Sequence, residues 1–430
     1  MSVRSRGPRP LPRGSSVAVV GAGIIGTSAA FALVERGYKV TLYDRSPPGT
    51  GGASRGNGGH VVGSGIFPLA EPGVAWSGLR MLLDPDAPLK IPAAHAPRLA
   101  PWLWRLWQSS RGDAFERGIA ALTGLSLGAV DEAEALWQRA GIGDLLQRVA
   151  ALYLYESEQS HAASEGHWQR RAQAGMASTH IGPVEIAALE PYLAPIFPRG
   201  VLSHDWGVVS DPLEVVTGLF RAAQMRGVVH ERAEVGAVEA RGDLVAVTSQ
   251  GAARLYDAAV IAAGVWSRTL AQRLGEDLPV EAERGYNLTF AGRQGLINRP
   301  LVLADRGVTA SPLRPGLRLG GWTELGGIAL PPNAARWQRM MAISEMVIPA
   351  LHGTPSAEWM GHRPSMPDSV PVISRSTRLP GVFYAVGHGH YGLSQSARTA
   401  RILAEIIGEA ADMAYEPYGL GRFNPPGRGR

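Results

Sequence analysis

The stretch "VAVVGAGIIGTSAAFALVERGYKVTLYDRS", residues 17–46, decides the fold because it joins a strand, a glycine turn and a helix in one run. Val17–Val20 form an all-apolar run, typical of a strand that is buried on both faces. Gly21, Gly23 and Gly26 follow with the spacing GxGxxG. The first glycine permits a tight turn, the second lets the backbone approach a pyrophosphate, and the third lets the helix pack close to the strand. The pattern predicts a βαβ unit that binds a dinucleotide.

The residues around the three glycines complete this unit. A helix from Ile24 to Arg36 would offer its N–H groups and partial positive charge to the phosphates. A second strand, Lys39 to Tyr43, ends in Asp44, where a carboxylate would meet a ribose hydroxyl. Arg45 could meet a 2′-phosphate instead, so this unit alone leaves a nicotinamide and a flavin both open. The cofactor contacts predicted here are Gly21, Ala22, Gly23, Ile25, Gly26, Asp44 and Arg45.

The loop "GGASRGNGG", residues 51–59, favours a flavin. It follows the second strand directly, where a nicotinamide domain would usually begin its next helix. Small residues let the backbone come close to an extended ligand, as the ribityl chain of a flavin would be. The alternative is a flexible surface loop. The contacts predicted in this loop are Gly52, Ala53, Ser54, Asn57, Gly58 and Gly59.

Two later junctions also join a strand to a loop. "DAAVIAAGVWS", residues 257–267, runs a buried strand into a small-residue turn, and "GHGHYG", residues 387–392, lies between the strand Val382–Val386 and a helix from Leu393. Three such junctions exceed what a nicotinamide domain needs. They fit a flavin whose ring meets backbone N–H groups and a helix end. The contacts predicted here and at the nearby strand are Val235, Ala263, Gly264, Trp266, Gly387, His388, Gly389, Tyr391, Gly392 and Leu393.

Composition limits the other function classes. The chain has 430 residues and no cysteine, which excludes disulfides, thiolate metal ligands, a cysteine nucleophile and a thioether link to a flavin. The net charge is +5, and nearly all of the positive charges are arginines. No dense basic block is interleaved with aromatic residues. We therefore expect no nucleic-acid partner. The histidines are scattered without ligand spacing, so we expect no metal.

The pattern of elements predicts an α/β protein of two interleaved domains. The first is a Rossmann-like FAD-binding domain, and the second is an α+β substrate domain carrying an antiparallel sheet. The predicted boundaries are a disordered tail at 1–15, the FAD-binding domain at 16–60, 201–280 and 351–412, the substrate domain at 61–200 and 281–350, and a C-terminal tail at 413–430.

The relation to membranes turns on one segment. No apolar stretch reaches the ~18 residues of a membrane span, so we expect no integral membrane protein. We expect a cytoplasmic location. "PRLAPWLWRLW", residues 97–107, would set Trp102, Leu103, Leu106 and Trp107 on one helical face. That face could pack against the core or touch the inner face of the membrane, and both readings stay open.

Several motifs in order resemble one known family. They are the glycine turn with Asp44, the 51–59 loop, "LLDPDAPLKI" at 82–91, "ERGYNL" at 283–288, "GHRPSMPDSVPVI" at 361–373 and "GHGHYG". From Val17 to about Ile407 the chain resembles the flavin-dependent D-amino acid oxidase superfamily, most closely its bacterial D-amino acid dehydrogenases. The resemblance implies non-covalent FAD and hydride transfer from an amine-bearing carbon to flavin N5. The imine product would hydrolyse to a keto acid and ammonia, and a quinone or oxygen would accept the electrons.

The resemblance also implies roles for four residues. Arg363 in "GHRP" matches the family's carboxylate-binding arginine, and Tyr286 would be a second hydrogen-bond donor to the substrate. His60 would lie near the ring edge, and His390 would contact the substrate. The alternatives are a salt bridge between lobes for Arg363, core packing for Tyr286, and structural roles for the histidines.

One departure keeps the substrate open. Leu393 and Ser394 stand where the bacterial dehydrogenases usually carry Trp-Thr. A secondary amine, such as a hydroxyproline, sarcosine-like or opine substrate, is therefore an alternative to a D-amino acid. A non-catalytic dinucleotide-binding protein is a third hypothesis.

Overall fold

The structure, a computed structural model, describes residues 10–73, 88–409 and 412–424. The α-helices in these ranges are α1 (Ile24–Glu35), α2 (Ala96–Ser109), α3 (Gly112–Ser126), α4 (Ala129–Arg139), α5 (Glu158–Gln173), α6 (Pro183–Leu189), α7 (Pro212–Met225), α8 (Ser267–Arg273), α9 (Ala334–Val347) and α10 (Gly392–Glu409). The first strands are β1 (Ser16–Val20), β2 (Lys39–Asp44), β3 (His60–Val62), β4 (Leu89–Lys90), β5 (Leu146–Arg148), β6 (Ala151–Tyr155), β7 (Ser178–Ile181), β8 (Arg199–Ser203), β9 (Trp206–Val209) and β10 (Val229–Arg232). The remaining strands are β11 (Val235–Arg241), β12 (Leu244–Ser249), β13 (Ala252–Tyr256), β14 (Ala258–Ile261), β15 (Glu281–Phe290), β16 (Leu301–Leu303), β17 (Val308–Leu313), β18 (Gly316–Leu325), β19 (Ala357–Ser365), β20 (Val372–Arg375) and β21 (Val382–Val386).

The first sheet has six strands in the order β10-β2-β1-β14-β21-β20. Its pairings are parallel except for β20 with β21. Helix α1 packs against α7 and α10, and these helices bury their apolar faces in one core with the sheet. The prediction of a Rossmann-like unit from residues 17–46 is confirmed. Because β1, β2 and β14 run parallel, their carboxyl ends meet at one edge, where such sheets bind ligands.

The second large sheet has nine strands, in the order β19-β15-β18-β17-β16-β6-β8-β7 with β4 beside β18. It is antiparallel except where β16 meets β6 and β18 meets β4. The stretches "YNLTF", "PLVLAD", "GVTASPL" and "GLRLGG" contribute to β15, β16, β17 and β18. The prediction of an antiparallel sheet is therefore confirmed. Two three-stranded sheets, β11-β12-β13 and β3-β9-β5, complete the architecture.

The chain crosses between the two large sheets as often as the predicted domain boundaries require, but two of the crossings lie later in the sequence. Strand β8 spans the predicted boundary between residues 200 and 201 and belongs whole to the nine-stranded sheet, and β19 belongs to the same sheet although its residues are predicted in the FAD-binding domain. β19 pairs with β15 from Ser365 opposite Glu281 to Ala357 opposite Thr289, and this long ladder ties it to the second sheet. The division into domains otherwise stays a prediction.

Both ends of the described chain pack against the protein. The Leu11 N–H donates to the Ile407 carbonyl over 2.9 Å, and the Tyr38 hydroxyl donates to the Leu11 carbonyl. Short 3-10 turns at Asp412–Tyr418 and Leu420–Arg422 bury Leu420. The first part of the predicted C-terminal tail is therefore folded against the protein. Residues 1–9 and 425–430 of the predicted tails lie outside the described residues, as do residues 82–87 of the 82–91 motif.

Helix α2 carries the tryptophan-rich face. Trp102 and Leu106 are 4% and 9% exposed and pack with Leu325, and Leu103 packs against the same cluster. Trp107 stacks on Trp104 with ring centroids 4.7 Å apart. Core packing therefore accounts for most of this face. In the described ranges, no helix combines the length and apolarity that a bilayer span requires.

Candidate functional site

A cavity of about 610 Å³ lies where the carboxyl edge of the six-stranded sheet faces the nine-stranded sheet. Arg363, Tyr286, His60 and His390 all line it. The predicted cofactor residues line it too, with three exceptions: Gly26, Gly59 and Gly387. The structure thus brings together, in one cavity, residues that are more than 300 positions apart in the sequence.

The glycine turn closes one end of the cavity because side chains have no room there. A Cβ on Gly26 would lie 1.8 Å from the Gly21 carbonyl oxygen, so only glycine lets α1 pack this close. Gly21 has φ +110°, and a Cβ there would lie 2.4 Å from the Ala262 oxygen. The Ile24 N–H at the start of α1 donates to Ser54 Oγ over 3.0 Å. The amino end of α1 therefore faces the cavity with its positive dipole end.

Asp44 and Arg45 lie where the six-stranded sheet lines the cavity. The Asp44 carboxylate accepts the N–H groups of Ala22 and Ser46, each over 2.8 Å. The Arg45 guanidinium stacks 4.3 Å from the ring centroid of Trp266, and it lies 3.8 Å from Glu234. Because Arg45 already has an acidic neighbour and an aromatic one, the 2′-phosphate alternative gains no support.

The 51–59 loop is clamped between the two sheets. The Asn287 side chain donates to the Gly56 carbonyl and the Arg318 guanidinium donates to the Asn57 carbonyl, both over 2.7 Å. A Cβ on Gly56 would lie 2.2 Å from the ring of Trp359. The loop is therefore a fixed wall of the cavity, not a flexible surface loop.

The "GHGHYG" loop closes the opposite end. The Gly389 N–H donates to the Pro364 carbonyl over 2.8 Å, and His388 forms a bridge with Ser365. His388 is buried, with Nε2 2.9 Å from the Thr399 hydroxyl. Burial lowers the pKa of His388 to about 3. Gly392 begins α10, so a second helix amino end faces the cavity.

Arg363 lies in a buried ion pair. Its Nη1 donates to Glu283 Oε1 over 2.9 Å and to the Trp322 carbonyl over 3.1 Å. Glu283 also accepts the hydroxyls of Ser365 and Thr323. Burial alone would raise the pKa of Glu283, but Arg363, His390 and the two hydroxyls lower it to about 2. A salt bridge is therefore present, between neighbouring strands of one sheet instead of between lobes.

Tyr286 lies against the cavity wall with its hydroxyl engaged elsewhere. The hydroxyl donates to Glu324 Oε2 over 3.2 Å and accepts the Asn333 N–H over 3.1 Å. The ring packs in the core of the nine-stranded sheet, edge-on to Trp337. Its only proton is committed to Glu324, so a donor role toward the substrate requires the hydroxyl to turn. That role stays a prediction.

The two predicted site histidines both line the cavity. Burial lowers the pKa of His60 to about 4, and its Nε2 lies 2.6 Å from the Ser311 hydroxyl. Burial lowers the pKa of His390 as well, while Glu283 raises it and Arg363 lowers it. His390 is nevertheless 43% exposed, since its open surface lines the cavity, and Nδ1 lies 3.9 Å from Glu283. Both shifts therefore favour the neutral imidazole.

Sequence reasoning missed part of the cavity wall. Glu283 is the first residue of the quoted "ERGYNL", and a strand extended back to Glu281 would have placed it on the face of Gly285 and Asn287. No local pattern indicates the aromatic wall, which comes from distant segments. Its residues are Tyr153, Trp206, Trp322 and Trp359.

The residues around the cavity fit a flavin dinucleotide. Two helix amino ends and a glycine turn suit a pyrophosphate and a flavin ring that gains negative charge when it is reduced. Two buried ring nitrogens, His388 Nδ1 and His362 Nε2, have no hydrogen-bond partner among the described residues, although both histidines line the cavity. An enclosed polar ligand would satisfy such atoms.

His388 predicts how the stability of the protein depends on pH. Its pKa is about 3 when folded and about 6.5 when unfolded, so the unfolded state binds the extra proton between these values. Stability should therefore fall as the pH drops from about 6.5 towards 3. In His388→Asn, we expect the fall in melting temperature between pH 7 and pH 5 to be a few degrees smaller than in the unmodified protein. The exposed His352, replaced in the same way, is the control, and equal slopes in all three proteins would contradict the prediction.

Comparisons with known proteins agree with this geometry. The family model described as "DAO: FAD dependent oxidoreductase" matches residues 16–406. A D-amino-acid oxidase from Bradyrhizobium diazoefficiens is 31% identical over 424 residues, covering 96% of this chain and 100% of that protein. A D-amino acid dehydrogenase 2 from Ralstonia nicotianae is 31% identical over 432 residues, covering 94% and 100%.

Solved structures share the fold. Glycine oxidase from Geobacillus kaustophilus superposes with a TM-score of 0.72 at 22% identity, covering 96% of this chain and 99% of that one. L-proline dehydrogenase from P. horikoshii gives a TM-score of 0.72 at 19% identity, with the same coverage. The extent of the family match and the 31% relative settle the assignment, and the cofactor is FAD. The chain belongs to the DAO family of FAD dependent oxidoreductases.

Proposed function

We propose that this enzyme oxidises the carbon–nitrogen bond of a D-amino acid to an imine, which water hydrolyses to a keto acid and ammonia. The observation that carries the proposal is an arginine at the cavity wall, Arg363, whose guanidinium is fixed beside the "GHGHYG" loop. Arginine binds a carboxylate through two parallel N–H bonds. The names of the relatives at 31% identity support the D-amino acid class.

The cavity residues would divide the work as follows. A flavin held in the cavity would supply the acceptor for the hydride of the substrate carbon. The glycine turn, Asp44 and the two helix amino ends would hold FAD, and Arg363 would hold the substrate carboxylate. The amine must be neutral when it reacts, and the neutral imidazole of His390 can take a proton from an ammonium group in the cavity. The aromatic wall excludes water around the reacting carbon.

The test is the visible spectrum of the FAD-loaded protein without oxygen. We expect D-amino acids to bleach the flavin band at least about a hundredfold faster than their L-enantiomers, which are the matched controls. Faster bleaching by sarcosine or a hydroxyproline would replace the D-amino acid with a secondary amine. A band that no amine bleaches would overturn both. Re-oxidation with oxygen or with a quinone then identifies the electron acceptor.

A further inference from the structure

Glu283 is a buried carboxylate that holds one end of the Arg363 guanidinium. It is 1% exposed and lies opposite Arg363 in the register of β15 and β19. Ser365 Oγ donates to Oε2 over 2.7 Å, and Thr323 Oγ1 donates to Oε1 over 2.9 Å. Donors on both flanking strands therefore fix the carboxylate, which cannot turn away from the arginine.

The same contacts leave one edge of the guanidinium available. Both protons of Nη1 are used, by Glu283 and by the Trp322 carbonyl. Nη2 reaches the Gly321 carbonyl over 3.4 Å. The Nε–H and the second Nη2–H have no acceptor among the described residues. These two bonds point in the same direction from the planar group, which is the geometry of a bidentate carboxylate contact.

Gly285 leaves room for the guanidinium of Arg363. A Cβ on this residue would lie 2.3 Å from the Arg363 Cζ, so the guanidinium lies flat on the bare backbone of β15. The flat contact below and Glu283 at one end restrict its rotation.

We propose that Glu283 is a positioning residue for the substrate: it occupies Nη1 of Arg363, so the Nε–Nη2 edge is presented to the substrate carboxylate. This inference rests on the proposed function, in which Arg363 is the anchor. The pair carries no net charge, so substrate binding depends on the orientation of the guanidinium more than on its charge. A charge-only role and a positioning role therefore predict opposite effects of removing the Glu283 charge.

The test compares Glu283→Gln with the unmodified enzyme, both loaded with FAD. If charge alone mattered, losing the negative charge of Glu283 would tighten the binding of the amino acid carboxylate. We expect the reverse, a rise on the order of tenfold in the dissociation constant of the D-amino acid, measured from the saturation of flavin reduction. The inhibition constant of the amine with the same side chain and no carboxylate should change less than about twofold.

Two further variants sharpen the result. Glu283→Ala removes the shape as well as the charge and should weaken amino acid binding further, and Glu283→Gln keeps the test valid if Ala prevents folding. Glu190→Gln is the matched control, because Glu190 is fully buried and 3.0 Å from Arg299 but does not line the cavity. It should leave both constants unchanged.

Unchanged or tighter amino acid binding in Glu283→Gln would overturn the positioning role, as would equal weakening of the amine. Either result would leave the proposed function standing, because D-amino acids would still reduce the flavin of the unmodified enzyme. A flavin that no D-amino acid reduces in the unmodified protein would overturn the proposed function and this inference together.

Discussion

We expect the Gly26→Ala variant to lose its FAD during purification. The added methyl carbon would lie 1.8 Å from the Gly21 carbonyl oxygen, and that atom belongs to the backbone. No side chain can move aside, so α1 must shift away from β1. The amino end of α1 would then no longer face the pyrophosphate of FAD. Overpacking of this kind costs about 1–3 kcal/mol, so we expect FAD to bind about 5- to 150-fold more weakly.

The measurement is the ratio of flavin to protein absorbance, with circular dichroism to check the fold. Gly166→Ala is the matched control, because a Cβ there meets no atom within 4 Å and the residue lies in α5. Alanine favours a helix over glycine, so this control should keep its FAD and its stability. A Gly26→Ala protein with a full complement of FAD would contradict the close packing of helix and strand.

The first dinucleotide unit was predictable because its rules are local. Glycines at fixed spacing, an apolar strand before them and an acidic residue after the next strand each depend on near neighbours. The structure gives α1 as Ile24–Glu35 and β2 as Lys39–Asp44, each within one residue of the prediction. The cofactor followed from similar reasoning, because the loops after β14 and β21 each lie between a strand and a helix.

The domain boundaries were harder because they depend on distant pairing. Arg199–Ser203 and Ala357–Ser365 contain no signal that says which sheet they join. Their partners are β6 and β7 for the first, and β15 for the second. Register between segments far apart in sequence is set by the whole core, which a single sequence does not display.

The sequence motif identified Arg363 as a candidate site residue but did not reveal its ion-pair partner, Glu283. Glu283 is 80 positions from Arg363, and only the pairing of β15 with β19 brings them together. Tyr286 illustrates the opposite problem. Successive strand residues face opposite sides of a sheet, so the side chains of Tyr286 and Asn287 point in different directions although both residues line the cavity. In the structure Asn287 binds the cavity loop, whereas the Tyr286 hydroxyl binds Glu324.

Replacing Arg363 should have the largest effect on the reaction itself. In Arg363→Lys the positive charge remains but the planar fork is lost, and a lysine cannot give two parallel bonds to a carboxylate. We expect kcat/KM for a D-amino acid to fall on the order of a thousandfold, a loss of about 4 kcal/mol in transition-state binding. FAD content should be unchanged. Arg299→Lys, in the ion pair with Glu190 outside the cavity, should keep normal kinetics.

A neutral replacement needs a second change, because Arg363→Met alone would leave Glu283 as an uncompensated buried charge. Breaking a buried pair in this way costs about 3–5 kcal/mol, so lost activity could reflect lost folding. The double variant Arg363→Met/Glu283→Gln removes both charges, and we expect it to fold, to keep its FAD and to lose D-amino acid oxidation. Flavin reduction by the carboxylate-free amine, however slow, should match the unmodified rate within a few fold. If the double variant still oxidised D-amino acids normally, the substrate carboxylate would have to bind elsewhere in the cavity. Arg318 would then be the next residue to replace, because its guanidinium contacts the Asn57 carbonyl and the Thr289 hydroxyl and not a carboxylate.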